Sequence, residues 1–210
     1  MLIVDDHVIV RKGMKQLFSL ADDISVAAEA SNGGQVLDLL RQNSFDIILL
    51  DMSMSGISGT SLISRVRIHS PQIPILILSM YNDPQIVKRA LNAGASGYLT
   101  KDSEPEIVLL AIRKVAQGGR FIAPELAEKI VFSVTSSEDS KLHKQLSDRE
   151  YEIFLLLVKG NSLNEIASEF SISSKTVSTH KMRLMQKMSI TNNADLVRYA
   201  MENNFFGDDL

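Results

Sequence analysis

The feature that most constrains the fold is a regular alternation of short apolar runs with helical patterns through residues 1–119. Apolar runs of strand length, separated by amphipathic segments of helix length, are typical of βα units whose strands lie parallel. The strand candidates are residues 2–4, 24–30, 45–50, 75–78 and 98–100. The pattern therefore predicts a doubly wound α/β domain with a five-stranded parallel sheet.

The rest of the chain is different, because the pattern loosens after Gly118 and Gly119, and the segment beyond residue 145 contains only helical patterns and no strand candidate of any length. Residues 133–145, SVTSSEDSKLHKQ, are polar and rich in serine, which is typical of a linker. A chain of 210 residues with 45% hydrophobic content suffices for two globular domains. We predict a domain over 1–119, a connecting helix or linker over 120–145, and a small all-α domain over 146–210.

Composition excludes several classes of protein. The chain has no cysteine, so it forms neither disulfides nor thiolate metal sites, and its four histidines lie far apart, which argues against a histidine metal site. No apolar stretch approaches the roughly 20 residues that span a bilayer, and the start of the chain lacks the pattern of an export signal. The sequence thus predicts a cytoplasmic protein without a membrane partner.

Polar residues end four of the predicted strands. Asp5 and Asp6 follow the first strand, Asp51 the third, Ser79 the fourth and Lys101 the fifth. In a doubly wound sheet, the loops at the carboxyl ends of the strands form the ligand site. Three carboxylates there would repel one another unless a cation compensated them, and Mg²⁺ is a hard cation that prefers oxygen ligands. The set predicts a phosphoryl site in which Asp51 is the nucleophile, with Lys101 and the Ser79 hydroxyl as partners.

Each of these residues also has an ordinary structural interpretation. An aspartate after a strand commonly caps a turn or a helix, and a single lysine such as Lys101 is usually a solvated surface residue. The coincidence of acids, hydroxyl and lysine at four strand ends favours the joint functional interpretation.

The helical half carries the pattern of a helix-turn-helix. Ser147 and Glu150 form a capping box ahead of an apolar run, and Gly160 ends that first helix or lies just beyond its end. The segment SLNEIASEF predicts a second helix with Ile166, Ala167 and Phe170 facing inward. After the turn SIS, Ser173 or Ser174 can cap a third helix, whose apolar face is formed by Val177, Leu184 and Met188.

The remaining surface of the third helix is polar and basic. Residues 171–190 contain four basic residues and no acid. Such a helix is either a solvated face or a DNA reader, and the charge pattern alone leaves both interpretations open.

The motifs IVDDH, LLDMSM, LSM and GYLTK resemble the signature of bacterial response-regulator receiver domains. The resemblance implies a flavodoxin-like sheet of order 2-1-3-4-5 and transfer of a phosphoryl group from a sensor histidine kinase to Asp51. It implies Mg²⁺ held by the residues Asp5, Asp6, Asp51 and, through its carbonyl, Ser53. It also implies that Ser79 and Lys101 contact the phosphoryl group and that Tyr98 rotates when Ser79 moves inward, remodelling the surface of the fourth helix, fifth strand and fifth helix. Tyr98 also suits an ordinary half-buried tyrosine of a strand. The family usually has proline where this chain has Ser55, and the consequence of that change stays open.

The motifs LSDRE, GNSLNEIA and SSKTVSTHKMRLMQKM are similar to the LuxR-type DNA-binding domain of the NarL/FixJ class. The resemblance implies that the residues facing the DNA groove are Ser178, Thr179 and Met182. It leaves a second group of side chains for the phosphates: Lys175, Thr176, Lys181, Arg183 and Lys187. A fourth helix, NADLVRYAMEN, offers Leu196, Tyr199 and Ala200 as a dimer seam, although these residues equally suit the core of a small domain.

The two resemblances together predict a phosphorylation-controlled transcription regulator of a two-component system that binds double-stranded DNA, as a homodimer when phosphorylated or DNA-bound. Two alternatives remain at this point. One is a DNA-binding regulator that is independent of phosphorylation. The other is a Mg²⁺-dependent aspartyl phosphohydrolase, which the sequence disfavours because Ser53 stands where such enzymes carry a second aspartate as general acid. We therefore predict that the protein is not an enzyme.

Overall fold

The structure is a computed structural model that describes residues 1–54, 56–133, 142–170, 172–203 and 205. The chain divides into two compact units, Met1–Ser136 and Ser137–Leu210, which are described separately. Within the described residues, no helix has both the length and the apolar character required to cross a membrane.

The first unit is built on a single parallel sheet of order β2-β1-β3-β4-β5-β6. Its strands are β1 (Leu2–Val4), β2 (Ala28–Ala30), β3 (Ile48–Leu50), β4 (Ile75–Ser79), β5 (Gly97–Thr100) and β6 (Phe121–Ile122). The predicted order 2-1-3-4-5 is confirmed. A sixth strand extends the sheet beyond the five predicted, with Phe121 and Ile122 paired to Gly97 and Tyr98. Two residues show no periodicity, so β6 left no signal in the sequence.

Helices follow the first five strands and precede β6, as βα units require. They are α1 (Val8–Phe18), α2 (Gly33–Gln42), α3 (Gly59–His69), α4 (Pro84–Ala93) and α5 (Pro105–Ala116), and α6 (Pro124–Ser133) follows β6. Strands β1, β3 and β4 are buried along their whole length, because helices cover both faces of a doubly wound sheet. Strands β2 and β3 are shorter than predicted, yet Ile47, just outside β3, is only 2% exposed and belongs to the core.

The described residues of the second unit form a 3₁₀ turn (Leu142–Gln145) and four helices. These are α7 (Asp148–Val158), α8 (Leu163–Glu169), α9 (Ser174–Lys187) and α10 (Asn193–Glu202). The predicted capping box of Ser147 and Glu150 is present, and Ser173 rather than Ser174 caps α9. The apolar face predicted for α9 is fully buried, since Val177, Leu184 and Met188 are all 0% exposed.

The segment predicted as one linker, 120–145, is divided by the structure. Strand β6 and helix α6 lie in the first unit, whereas His143 is 2% exposed among aromatic side chains of the second. Its Nδ1 lies 2.7 Å from the Tyr199 hydroxyl, and its ring centroid lies 4.9 Å from that of Phe205. The polar sequence concealed this buried histidine. Residues 134–141 of the predicted linker lie outside the described part of the chain.

Candidate phosphoacceptor pocket and nucleic-acid interface

Asp5 and Asp51 lie side by side because their strands are neighbours. Val4 in β1 is in register with Leu50 in β3, and the next residue on each strand is the aspartate. The Asp51 amide donates to the Val4 carbonyl at 2.8 Å, which fixes the end of the ladder. Both aspartates are 3% exposed, so two carboxylates are buried at one edge of the sheet.

Lys101 joins these two carboxylates. Its backbone amide donates to the Ser79 carbonyl at 2.8 Å, which holds the residue at the end of β5 beside β4. Its Nζ donates to Asp5 Oδ2 at 2.7 Å and to Asp51 Oδ2 at 2.9 Å. The structure thus brings together residues that lie 96 and 50 positions apart in the chain.

The pocket leaves Asp51 short of compensating charge. Burial raises the pKa of Asp51, the neighbouring Asp5 raises it further, and Lys101 only partly opposes both effects. Burial acts to lower the pKa of Lys101, but the attraction of Asp51 and Asp5 outweighs it and the pKa is raised. Lys101 therefore stays charged while Asp51 still needs a further positive charge.

The donor set fits a divalent cation. Asp5, Asp6, His7 and Asp51 each offer one ligand atom, and these atoms all lie within 4.8 Å of one another. Carboxylate oxygens are the ligands that Mg²⁺ prefers. Ser53 lies beside them, with its amide donating to Asp51 Oδ1 at 3.2 Å. His7 was not predicted from the sequence, because the four histidines show no ligand spacing among themselves; its position directly after Asp5 and Asp6 is the signal that could have indicated it.

The two predicted switch residues are connected through Tyr81. Ser79 is fully buried, and its hydroxyl accepts a hydrogen bond from the Tyr81 amide at 3.3 Å. Tyr98 is also fully buried, and its hydroxyl donates to the Tyr81 carbonyl at 2.9 Å. Tyr98 thus points inward in this structure. No sequence pattern indicated Tyr81, because it contributes through its backbone amide and carbonyl. Ser55 lies outside the described residues.

Helix α9 presents most of the predicted DNA contacts to solvent. Lys175, Thr176 and Ser178 are exposed, and Met182 is 63% exposed. Arg183 is exposed, whereas Lys181 is half-buried. The Thr179 hydroxyl donates to the Lys175 carbonyl at 3.0 Å, so its hydrogen already has an acceptor within the helix.

Lys187, predicted as a phosphate contact, has a partner inside its own unit. Its Nζ lies 2.6 Å from Oε2 of Glu150, which is only 4% exposed. The same oxygen accepts a hydrogen bond from the Ser147 amide at 2.8 Å. Burial alone would raise the pKa of Glu150, but these bonds to Lys187 and Ser147 lower it. The pair joins α9 to the start of α7, a contact that helical periodicity did not reveal.

The predicted dimer residues are used within the chain. Leu196 and Ala200 are 1% and 0% exposed, and the Tyr199 hydroxyl is bonded to His143. The interpretation as a small core therefore accounts for all three side chains. The dimer seam stays a prediction, and it was not separable from a core in the sequence because an inward helical face and a dimer face have the same periodicity.

A parallel sheet that collects three carboxylates, a lysine and a hydroxyl at its carboxyl edge, followed by a helix-turn-helix, defines a class of protein. It is the class of two-domain response regulators.

Comparison with known families assigns the chain within that class. Residues 1–113 match the family described as response regulator receiver domain, and residues 144–200 match bacterial regulatory proteins of the luxR family. The chain belongs to the response regulators of the NarL/FixJ class and carries a receiver domain and a LuxR-type DNA-binding domain.

Individual relatives cover almost the whole chain. Response regulator UvrY of Escherichia coli K12 is 33% identical over 201 residues, which is 95% of this chain and 92% of UvrY. A solved structure of two RcsB dimers bound to two parallel DNAs is similar with a TM-score of 0.59 and 26% identity, covering 95% of this chain and 96% of RcsB. A further similar structure is that of RcsB from Salmonella enterica serovar Typhimurium bound to promoter P1flhDC in the presence of phosphomimetic BeF3⁻. It has a TM-score of 0.59 and 27% identity, and the match covers 94% of this chain and 95% of the RcsB chain.

Proposed function

We propose that this response regulator is controlled by phosphorylation of Asp51 by a sensor histidine kinase, and that phosphorylation favours a dimeric, DNA-binding form. The observation that carries the proposal is the Lys101 ammonium bridging Asp5 and Asp51. It places a fixed cation beside a buried carboxylate whose pKa is raised, at the sheet edge where ligands bind in this fold.

The chemistry is a phosphoryl transfer. An Asp51 carboxylate oxygen attacks the phosphorus of a phosphohistidine, the P–N bond breaks, and its electron pair stays on the kinase imidazole. Asp5, Asp6, Asp51 and the Ser53 carbonyl would hold Mg²⁺, which when bound neutralises charge on the transferred group. Lys101 and the Ser79 hydroxyl then donate to the phosphoryl oxygens.

Tyr81 supplies a route from the pocket to the surface. A Ser79 hydroxyl that turns toward the phosphoryl group loses its bond with the Tyr81 amide, and the Tyr81 carbonyl is the acceptor for Tyr98. The two bonds therefore change together, which couples phosphorylation to the position of the β4–α4 loop. We propose that this biases a pre-existing equilibrium between two conformations rather than creating a new one.

The DNA-binding part of the proposal rests on the exposed surface of α9. Lys175 and Arg183 present charge for phosphates, and Ser178 and Met182 are exposed for contact with bases. The RcsB structures support a dimeric complex by similarity. We propose that the dimer seam uses surface other than Leu196 and Ala200, since both are buried within one chain.

Phosphorylation can be tested directly by mass. Full-length protein is incubated with a small phosphodonor and Mg²⁺, and intact mass and affinity for promoter DNA are measured. We expect wild type to gain one phosphoryl group and bind DNA more tightly, and Asp51→Asn to do neither. Asp22→Asn, a change at an exposed carboxylate of the same unit, is the matched control and should behave as wild type. Equal mass gain in Asp51→Asn would overturn the proposal.

The DNA surface is tested with lysine variants. Lys175→Ala should weaken binding on all sequences and reduce the slope of log affinity against log salt by about 1, because one phosphate contact is lost. Lys159→Ala removes an exposed lysine outside α9 and should leave both quantities unchanged. An unchanged salt slope in Lys175→Ala would contradict the assignment.

A further inference from the structure

His7 occupies an unusual position for a half-exposed histidine. It is the N-cap of α1, and its backbone amide donates to Asp5 Oδ1 at 2.7 Å. Its side chain is 50% exposed, so packing in the core does not explain its orientation. The ring nevertheless turns toward the acids, with Nδ1 lying 3.1 Å from Asp5 Oδ1 and 2.9 Å from Asp6 Oδ1.

These distances suit hydrogen bonds between the imidazole and the carboxylates, and they are also those of neighbouring ligands around one cation. Two donors at right angles, each about 2.1 Å from a metal as in octahedral sites, lie about 3.0 Å apart. His7 Nδ1 has that spacing from both aspartate oxygens, and Asp51 offers a further ligand atom within the same 4.8 Å cluster.

Lys101 does not compete for this side of the pocket. Asp5 directs Oδ2 toward Lys101 and Oδ1 toward His7. Asp51 likewise directs Oδ2 toward Lys101, whereas its Oδ1 accepts from the Ser53 amide. A cation on the Oδ1 side can therefore bind without breaking the lysine bridge.

We propose that His7 Nδ1 is a metal ligand of the receiver pocket, so that the site binds first-row transition cations more tightly than Mg²⁺. The inference rests on the proposed function only in taking Asp5, Asp6 and Asp51 as cation ligands. Imidazole nitrogen adds little affinity for Mg²⁺, which prefers oxygen, but adds substantially for Mn²⁺, Co²⁺ and Zn²⁺.

The affinity test uses Co²⁺ and Mg²⁺ with the full chain, measured by titration calorimetry. His7→Ala should weaken Co²⁺ binding by about tenfold or more and Mg²⁺ binding by less than about twofold. His69→Ala, which removes an exposed histidine of the same unit, should leave both affinities unchanged. Unchanged Co²⁺ binding in His7→Ala, or equal loss for both metals, would show that His7 only hydrogen-bonds to the acids and would overturn the proposal.

A second measurement uses wild type alone, so it does not depend on whether a variant folds. Pulsed electron paramagnetic resonance of Mn²⁺-loaded wild type should show the nitrogen modulation of a directly bound imidazole, and its absence would equally overturn the assignment. Failure of the proposed function is distinguishable, since it would appear as wild type that gains no phosphoryl group with Mg²⁺. In that case the nitrogen signal still decides the role of His7.

Discussion

Asp51 and Glu150 are both buried carboxylates, at 3% and 4% exposure, yet their pKa values move in opposite directions. Asp51 shares its one lysine with Asp5, and it accepts a backbone hydrogen bond from Ser53 at 3.2 Å. Glu150 has Lys187 at 2.6 Å and the Ser147 amide at 2.8 Å. It also lies in the first turn of α7, where the helix dipole favours negative charge.

The comparison separates two uses of a buried charge. In the receiver, Asp5 and Asp51 share one lysine, which leaves Asp51 with a raised pKa, as the proposed metal and phosphoryl site requires. In the helical unit, Glu150 has both a lysine partner and a backbone donor, and its pair with Lys187 links α7 to α9. Burial of a carboxylate alone therefore does not indicate a reactive site, whereas burial with insufficient compensation does.

The largest effect on stability is expected from removing the Lys101 ammonium, which Asp5 and Asp51 share. Lys101→Met should destabilise the first unit by about 3 kcal/mol at neutral pH without metal, because two buried carboxylates then face each other unpaired. Thermal unfolding measures the change, and Mg²⁺ should restore part of the loss. Lys114→Met, at an exposed lysine of α5, is the control. A stability equal to wild type would show that the pocket is already compensated.

The next largest effect on stability is expected from breaking the ion pair of Glu150 and Lys187. Glu150→Gln should lower the stability of the second unit by about 2 kcal/mol. Lys187 loses its charged partner, and the glutamine amide replaces the carboxylate only partly in the capping box with Ser147. Since folding lowers the pKa of Glu150, its stabilisation is present at neutral pH and disappears as pH falls below about 4.5 through the folded pKa. Hydrogen exchange in α7 and α9 should therefore rise in the variant at pH 7 and differ little from wild type in strong acid.

The control for that comparison is Glu202→Gln, at an exposed position of α10, which should not alter exchange. If Glu150→Gln were equally neutral, the pair would be an ordinary surface contact rather than a link between helices.

Asp51→Asn should have the opposite sign from Glu150→Gln. Folding raises the pKa of Asp51, so the ionised carboxylate lowers stability above that pKa and the cost is relieved as pH falls. An amide should raise the free energy of unfolding by about 1 kcal/mol at pH 7 without metal. The gain should shrink with saturating Mg²⁺, which stabilises wild type more than a variant that lacks one charged ligand, and a destabilised Asp51→Asn would contradict this expectation.

The smallest effect concerns His180 in α9, whose buried Nδ1 has no hydrogen-bond partner among the described residues. Burial lowers its pKa, as do Arg149 and Arg183, while Glu150 partly opposes them. The unfolded chain therefore takes up the proton first, and stability present above about pH 6.5 declines below it. The melting temperature of the second unit should fall by about 1–3 °C between pH 7 and 5.5, and His180→Gln should flatten that decline.

Local sequence patterns predicted much of this fold. The alternation of strand and helix periods predicted the parallel sheet, and the resemblance to receiver domains supplied its order 2-1-3-4-5. The cap of α7 was readable from Ser147 and Glu150 because capping acts over three residues. The polar residues at strand ends were found because parallel strands share one edge, a rule that needs no coordinates.

Contacts between distant segments were not readable in that way. Strand β6 depends on pairing with β5, Lys187 depends on meeting Glu150 from 37 positions away, and Leu196 could be assigned to neither core nor seam by period alone. Helical periodicity says that a face is apolar but not what covers it.

By itself, the sequence determined that this chain has a receiver with Asp51 in an acidic pocket and a helix-turn-helix beyond it. Only the tertiary structure decided how charge is distributed. Lys101 bridges Asp5 and Asp51, Lys187 pairs with Glu150, and His7 turns toward Asp5 and Asp6. The physical reason is that electrostatic energy depends on distances of a few ångströms between side chains, and those distances are set by packing rather than by sequence spacing.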